Sequence, residues 1–277
     1  MNSAGTATAT AILHQWQTDA LAAASASNFV IEGDDATTTA SVATTVLSNS
    51  VTISDKVPRV TGTLQAVLKA GRADELDYQV AIMAKELKTD VESACLSNNA
   101  EVTADSPREP GTIGAWIDTN TSNGTSGTDG SLGNTARTDG TTRAFTETLL
   151  KAVLKLCWDN GGNPDTIMVG SFNKQKFSAF TGNATREVGA EDRALYAAID
   201  IYDSDFGELQ VIPNRFMRVQ DCLILQMDLW AIAYLREWMT QDLAKTGDSE
   251  RKQLLVEWTL ESRNEAGSGA VWDLTSA

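Results

Sequence analysis

The sequence predicts an α+β chain in which strands and helices are mixed without repeating β-α-β units. Three observations support this prediction. Residues 12–22 and 44–60 contain β-branched side chains among polar ones, a pattern typical of strands. Residues 73–96 carry apolar side chains at steps of three and four, the period of a helix. Residues 199–261 alternate again, so further strands are expected after the helices.

Length and charge limit the possible functions. The chain has 277 residues with 42% hydrophobic content, enough to bury one large core or two smaller ones. Its formal net charge of −15 argues against a protein that binds nucleic acid by neutralising phosphates, because that requires a basic face.

Cysteine usage and the start of the chain indicate a protein made in a reducing cytoplasm. Cys95, Cys157 and Cys222 are far apart and form no CxxC pair, so neither a disulfide framework nor a zinc site is expected. No segment reaches the apolar length of a membrane span. The first Lys or Arg is Lys56, so no basic region of a signal peptide is expected.

The first elements are predicted to form an extended hairpin. Its two long strands are residues 12–22 and 44–60, and the acidic turn at 32–35 lies at its tip. A hairpin of this kind buries little surface by itself, so it must lie on something else. A metal pair at Asp34 and Asp35 is the alternative to a solvated tip, which we favour.

Two helices are predicted next. The first spans about 73–96, with Asp74 and Glu75 in its first turn, where carboxylates suit the positive end of the helix dipole. At 1.5 Å per residue it would be about 35 Å long. The second spans 146–158 and ends before glycine and proline; one face carries Leu149, Val153, Leu156 and Cys157.

Between these helices, residues 118–142 are rich in Gly, Ser, Thr, Asn and Asp and predict a long surface loop. Six positions approach the spacing of a calcium-binding loop: Asp118, Asn120, Ser122, Gly124, Ser126 and Asp129. Asn123 takes the sixth place, where the pattern has glycine, and Asp129 takes the twelfth, where it has glutamate. A solvated loop is therefore favoured over a calcium site.

Short strands complete the chain. Residues 166–169 form a buried strand, and Ser171 is expected to cap the helix that follows it. Ile199, Ile201, Leu209 and Val211 alternate around an Asp-Phe-Gly turn and predict a hairpin. The last strands are predicted at 223–225, 229–235 and 253–261.

One enzyme interpretation can be built from these residues. Ser171 and Lys174 fit the S-x-x-K motif of penicillin-recognising serine enzymes, Ser204-Asp205 begins an S-D-N motif, and 245–247 is a K-T-G. Ser171 would be the nucleophile and Lys174 its activator. Phe206 replaces the asparagine, however, and the segments are too close for a helical domain between them, so we do not assign a catalytic site.

Other chemistry has less support. His14 is the only histidine, and it is expected to pack between subunits or to form a local hydrogen bond. The seven tryptophans lack interleaved basic residues for base stacking, so core and interface packing is their expected role.

Several unlike sequence blocks follow one another along the chain in a fixed order. The C-terminal blocks are 205–209 (DFGEL), 213–217 (PNRFM), 243–249 (LAKTGDS), 257–261 (EWTLE) and 263–265 (RNE). The N-terminal blocks are 14–21 (HQWQTDAL), 32–36 (EGDDA), 56–57 (KV), 62–63 (GT), 70–71 (AG) and 86–92 (ELKTDVE). These blocks recur in this order in the major capsid proteins of tailed bacteriophages, and the chain resembles this family over nearly its whole length.

The resemblance implies the Hong Kong 97-type fold and a structural role. It implies an N-terminal arm remnant at 1–9, an E-loop at 10–62 that lies across a neighbouring subunit, and a P-domain at 63–140 whose spine helix spans about 73–96. Residues 141–235 would be mainly A-domain, and 236–277 would return to the P-domain. Trp16, on the first strand of the E-loop, is expected to contact the neighbour.

The same resemblance implies what the protein binds. Subunits would form the hexamers and pentamers of an icosahedral shell around double-stranded DNA, with scaffold, maturation protease, portal and decoration proteins as further partners. An acidic inner wall would repel the DNA and leave it mobile. Neither a cofactor, a metal nor a membrane is implied, and assembly would take place in the host cytoplasm. An encapsulin-like compartment is the alternative within the fold. Family members carry more residues before the 14–21 block, so an upstream arm is expected to be cleaved or omitted.

Overall fold

The computed structural model describes residues 4–19, 21–36, 43–67, 74–104, 107–180 and 201–276. These residues form a five-stranded sheet, a six-stranded sheet and a two-stranded hairpin. The helices pack on the two larger sheets.

The five-stranded sheet is built around one long antiparallel pair. Strands β11 (Trp230–Asp242) and β12 (Ser249–Ser262) are paired from Trp230 opposite Ser262 to Asp242 opposite Lys252. The register shifts twice near Arg236. Strand β1 (Gly5–Thr8) lies parallel to β11 at one edge. Strands β4 (Thr52–Lys56) and β5 (Arg59–Thr61) both pair with β12 on its other side.

The long helix predicted from the apolar period is present as α2 (Glu75–Cys95). Asp74 is its N-cap and accepts a hydrogen bond from the Leu76 N–H at 2.8 Å. Leu87 and Val91 pack against Val256 and Trp258 of β12, so the helix covers one face of the five-stranded sheet.

The six-stranded sheet has the order β6-β13-β10-β7-β9-β8. The bounds of its strands are β6 Thr121–Ser122, β7 Thr166–Val169, β8 Ile201–Ser204, β9 Gly207–Pro213, β10 Cys222–Leu225 and β13 Gly269–Val271. The predicted Asp-Phe-Gly hairpin is β8 and β9, while Ile199 lies outside the described residues.

Helices α4 (Glu147–Asp159) and α5 (Ser171–Ser178) pack on the six-stranded sheet. The predicted face of α4 is partly wrong: Leu150 and Leu154 are buried beside Val153, whereas Leu156 is 38% exposed. The predicted cap of α5 is also wrong, because Gly170 is the N-cap and Ser171 is the first helical residue.

The N-terminal hairpin is shorter than predicted. Strand β2 (Leu13–Thr18) pairs with β3 (Thr45–Ser50), with Leu13 opposite Ser50 and Thr18 opposite Thr45. The prediction of one long strand over 44–60 is wrong, because the chain leaves the hairpin at the buried Val51 and continues into the five-stranded sheet as β4 and β5.

The prediction of a surface loop at 118–142 is correct in part. The segment is irregular apart from β6 and many of its residues are exposed, but Asn120 and Arg137 are buried, and a bridge joins Thr128 to Thr138. Gly133, at φ +80°, lies directly against the indole of Trp116, where a Cβ atom would be 2.7 Å from the ring. Glycine here permits close backbone approach, so the loop is anchored on the core at this point.

Two short helices, α1 (Gly62–Ala66) and α3 (Ile113–Trp116), complete the described elements. Within the ranges given above, none of the helices has both the length and the apolar character to span a membrane.

Candidate assembly surfaces

The base of the N-terminal hairpin is bonded to its own subunit. The imidazole Nε2 of His14 lies 2.9 Å from a carboxylate oxygen of Glu261, and both side chains are buried. The indole N–H of Trp16 donates to the carbonyl of Ser262 at 2.8 Å. Because both partners lie near the end of β12, the hairpin is held at a defined point of the five-stranded sheet.

Trp16 was expected to contact a neighbouring subunit, and the structure shows where it packs within its own chain. Its partly buried ring lies 5.5 Å from the ring of Trp116, at the edge of a core cluster that contains Trp230 and Trp272. The contact with a neighbour stays a prediction. The expected local hydrogen bond of His14 is present.

Asn49 is a second anchor that the sequence pattern did not reveal. Its buried amide donates to the carbonyls of Gly111 and Leu260 at 2.9 and 2.7 Å, and its side-chain oxygen accepts from the Gly111 N–H at 2.7 Å. One asparagine thus satisfies backbone groups of two segments at the point where the hairpin meets the body. In the sequence, Asn49 is one polar residue of a strand in which polar and apolar residues alternate, so nothing in the pattern indicated that it anchors the hairpin.

The His14–Glu261 contact gives the hairpin base a pH dependence. The hydrogen bond from His14, with one from Arg263, holds the pKa of Glu261 below its ordinary range although burial opposes this. A carboxyl group whose pKa is lower in the folded state than in the unfolded state stabilises the fold when the pH is above its unfolded-state pKa, about 4.3 for glutamate. This stabilisation is lost as the pH falls through the folded-state pKa.

Glu261→Gln is therefore expected to flatten the acid side of the stability profile. Urea unfolding of the unassembled protein between about pH 6 and 3 should show a steeper loss for the wild type than for the variant below about pH 4.3. Glu208→Gln, at an exposed position of β9, is the control. Parallel profiles for the wild type and Glu261→Gln would contradict the assignment.

The tip of the hairpin presents unusual apolar exposure. Phe29, Val30 and Ile31 are 86%, 90% and 76% exposed, and Leu21 is fully exposed. Gly33, at φ +84°, turns the chain, and the Asp34 N–H donates to the carbonyl of Ile31. We call residues 29–35 the tip. Exposed aromatic and β-branched side chains side by side mark a contact surface.

A buried charged cluster joins the 118–142 segment to the six-stranded sheet. The guanidinium of Arg137 lies 2.8 Å from Asp221, 3.2 Å from Asp273 and 2.9 Å from Asp139, and it stacks 4.5 Å over the ring of Trp272. Burial raises the pKa of Asp221 to about 6 against the opposing effect of Arg137. Backbone N–H groups and Arg137 hold the pKa of Asp273 below its ordinary range despite burial.

The residues of the enzyme interpretation lie on separate elements. Ser171 begins α5, and the Lys174 ammonium donates to the Val211 carbonyl at 3.2 Å. Ser204 Oγ donates to the Gly207 carbonyl at 2.7 Å in the β8–β9 turn. Lys245 forms an ion pair with Glu250 in the other sheet, so the three motifs do not share one cleft.

The side chains considered as calcium ligands are engaged elsewhere. The amide of Asn120 donates to the carbonyls of Ala266 and Ser268, and its oxygen accepts from Asn160. The Asp129 carboxylate accepts from Asn123 at 2.8 Å. In the part of the chain that the structure describes, no three His, Cys, Asp or Glu residues are grouped as metal ligands.

Residues 1–275 match the family of the SU10 major capsid protein. The chain belongs to this family. The major capsid protein of Escherichia phage Phieco32 is 25% identical over 299 residues, which cover 94% of this chain and 85% of that protein. As a family member, the chain is the major capsid protein of a phage, and the resemblance found in the sequence is confirmed.

Solved structures share the fold of this SU10-type subunit. The capsid of a native GTA particle matches with a TM-score of 0.65 at 12% identity, over 99% of this chain and 89% of that one. A chain of Mycobacterium phage Cain matches with a TM-score of 0.63 at 12% identity, over 100% and 90%. These matches confirm the predicted Hong Kong 97-type fold.

The fold alone does not separate a capsid from an encapsulin. The holo-SrpI encapsulin complex from Synechococcus elongatus PCC 7942 matches with a TM-score of 0.58 at 11% identity, over 99% and 86%. The SU10 family match makes that distinction, and it favours the capsid. Membership implies a structural role, self-assembly into capsomers and a location in the virion capsid.

Proposed function

We propose that this capsid protein forms the hexamers and pentamers of an icosahedral shell that encloses the double-stranded DNA of a tailed phage. The observation that carries the proposal is the hairpin, whose base is bonded to its own body while its apolar tip is left exposed. A tip held out in this way lowers its free energy only by contacting another molecule, and a shell supplies many such contacts at once.

The proposal includes an E-loop that crosses onto a neighbour and a chain that is otherwise organised as an A-domain and a P-domain. The E-loop would comprise the β2–β3 hairpin, and the P-domain would comprise the five-stranded sheet with α2 as spine helix. The six-stranded sheet with α4 and α5 would form the A-domain. Strand β13 pairs with β10 of that sheet, so the last residues would belong to the A-domain rather than to the P-domain.

Assembly would take place in the host cytoplasm, with scaffold, maturation protease, portal and decoration proteins as transient or permanent partners. DNA would be enclosed without sequence-specific contacts, because a chain with a net charge of −15 repels phosphates. Neither a cofactor nor a metal has a role in this function.

The shell itself is the first expected result. Protein expressed with its scaffold and protease partners should sediment as capsomers or shells, and negative-stain images should show closed particles. A well-folded protein that stays monomeric under all assembly conditions would contradict the proposal.

A non-catalytic role is also proposed, and Ser171 gives the sharpest test of it. We expect no acylation by a fluorescent penicillin and no turnover of a chromogenic cephalosporin, because the motif residues lie on separate elements. Stoichiometric labelling that disappears in Ser171→Ala would restore the enzyme interpretation.

A further inference from the structure

The segment at 118–142 concentrates the dipeptides that are most prone to spontaneous rearrangement of the backbone. An Asn or Asp side chain followed by glycine reacts readily, because glycine has no side chain to hinder attack by its backbone nitrogen. The chain has four such dipeptides, and three of them lie in this segment: Asn123-Gly124, Asp129-Gly130 and Asp139-Gly140. The fourth is Asn160-Gly161, at the end of α4. A loop of this composition is expected to age chemically unless its backbone is restrained.

The reaction at Asn123 has a defined course. The backbone nitrogen of Gly124 loses its proton and attacks the side-chain carbonyl carbon of Asn123. A C–N bond forms, the bond from that carbon to Nδ2 breaks, and ammonia leaves with the proton. Water then opens the cyclic imide at either carbonyl and yields aspartate or isoaspartate, without oxidation or reduction. The first step, removal of the proton from the Gly124 N–H, is the one that the surrounding structure can control.

A buried carboxylate binds this N–H group. The Gly124 N–H donates to Oδ2 of Asp273 at 2.9 Å. The other oxygen of the carboxylate lies 3.2 Å from the Arg137 guanidinium, so the side chain is fixed at both oxygens. Asp273 is fully buried and has φ +59°, a backbone conformation that is uncommon outside glycine and marks a residue held by its surroundings. The Gly140 N–H is a further donor to the same carboxylate.

The close packing at this point requires the glycines. A Cβ atom on Gly124 would overlap the carbonyl oxygen of Thr141 and would lie 2.9 Å from the Cβ atom of Asp273. A Cβ atom on Gly140 would lie 2.6 Å from the backbone nitrogen of Gly127. The approach of backbone to backbone that anchors the loop therefore brings the reactive dipeptides with it.

The Asp273 carboxylate opposes the reaction through charge and through geometry. Loss of the Gly124 proton would place a negative nitrogen against a negative carboxylate in a buried site, where like charges strongly disfavour each other. The carboxylate is also a poor base for this proton, since the pKa of Asp273 lies below its ordinary range. The hydrogen bond restrains the Gly124 peptide plane, and the Asn123 amide is held by Asp129 at 2.8 Å.

We propose that Asp273 protects Asn123 against deamidation, and that Asn123 is a latent modification site which reacts once this contact is lost. Deamidation would put a new carboxylate beside Asp129, the present acceptor of the Asn123 amide, and the repulsion would move the loop away from its anchor. The contacts lie within one subunit, so the inference does not depend on assembly. In a closed shell, whose subunits are not exchanged, it bears on the lifetime of the particle.

Peptide mass spectrometry of aged protein tests the protection. The folded wild type and Asp273→Ala are incubated unassembled at mildly alkaline pH, and deamidation is followed at positions 123 and 160. The rate at Asn123 should rise about tenfold or more in Asp273→Ala, because a hydrogen bond to a charged group contributes at least such a factor. The rate at Asn160 should not change, since the Gly161 N–H donates to the Trp158 carbonyl at 2.9 Å.

Asp221→Ala is the matched control. Asp221 is the other buried acid paired with Arg137, at 2.8 Å, so its loss loosens the same network but leaves the acceptor of the Gly124 N–H in place. This variant should accelerate deamidation at Asn123 much less than Asp273→Ala does. Equal acceleration by the two variants, or no acceleration in Asp273→Ala, would overturn the proposal.

Hydrogen exchange of the wild type decides the question if Asp273→Ala unfolds, in which case positions 123 and 160 both react faster. Base-catalysed exchange begins with the same loss of the amide proton. The Gly124 and Gly140 N–H groups should therefore exchange as slowly as those of the buried strand β10. Exchange as fast as in the exposed tip, or deamidation of Asn123 as fast in the folded wild type as in urea, would overturn the protection by Asp273.

Discussion

Replacing Phe29, Val30 and Ile31 with serine is expected to abolish shell formation while leaving the subunit folded. These side chains are 76–90% exposed, so their removal takes away almost no contact within the subunit. Surface substitutions of this kind change the free energy of unfolding by about 0.5 kcal/mol or less. In a shell the same loss recurs at every subunit contact, so its effect on assembly is multiplied.

Sedimentation velocity of the triple-serine variant should show only unassembled protein, and its thermal unfolding should match that of the wild type. Val219→Ser, at a 53% exposed position next to the six-stranded sheet, is the control and should assemble. Normal shells from the triple-serine variant would show that the tip is not an assembly contact. Loss of stability in the unassembled subunit would show that the tip packs within its own chain.

The hairpin shows how far the sequence could be interpreted. Alternation predicted the strand at 12–22 and the turn at 32–35, because both depend on neighbouring residues. It could not show that the chain crosses to a second sheet at Val51. That change depends on Asn49, whose hydrogen bonds reach Gly111 and Leu260, residues far away along the chain.

The contacts of Trp16 within its own chain could not be predicted for a similar reason. A large apolar side chain on a hairpin is consistent with an interface and with a core, and its packing on Trp116 and its hydrogen bond to Ser262 depend on residues far along the chain. Sequence blocks such as 213–217, which recur among family members, predicted the family without knowledge of these contacts. They can be recognised from the order of their residues alone.

The buried anchors of the segment at 118–142 could not be predicted because its composition is that of a solvated loop. Glycine and small polar residues also suit a backbone that packs closely on a core, as Gly133 does on Trp116. The deciding residue is Arg137, a single basic side chain whose carboxylate partners Asp221 and Asp273 lie far along the chain. Sequence spacing carries no trace of such a cluster.

Arg137→Ala should destabilise the subunit more than any surface substitution does. Its guanidinium is fully buried, and its loss removes the closest cation of the buried carboxylates of Asp221 and Asp273, although Asp221 keeps a longer contact of 3.8 Å with Arg218. Breaking a buried ion pair in this way costs about 3–5 kcal/mol, a large part of the 5–15 kcal/mol that typically stabilises a domain. Urea unfolding of the unassembled protein at about pH 8 measures the loss.

The control for this loss is Asp139→Asn, since Asp139 is a 47% exposed partner of the same guanidinium. Solvent screens an exposed ion pair, so this variant should lose about 1 kcal/mol or less. Equal losses in Arg137→Ala and Asp139→Asn would mean that the buried pairs contribute nothing beyond the exposed one.

The pH dependence gives an independent sign test of the cluster. The pKa of Asp221 is raised by burial to about 6, so the folded state binds a proton more tightly than the unfolded state does. Its stabilising contribution is present below the unfolded-state value of about 3.9 and is lost as the pH rises through about 6. Without Arg137, protonation of Asp221 relieves a buried charge that has lost its closest cation, so the penalty of Arg137→Ala should be smaller at about pH 5 than at about pH 8. A penalty that does not change between these two pH values would mean that Asp221 does not titrate in the folded protein, and that Arg137 acts by packing on Trp272 rather than by neutralising a carboxylate.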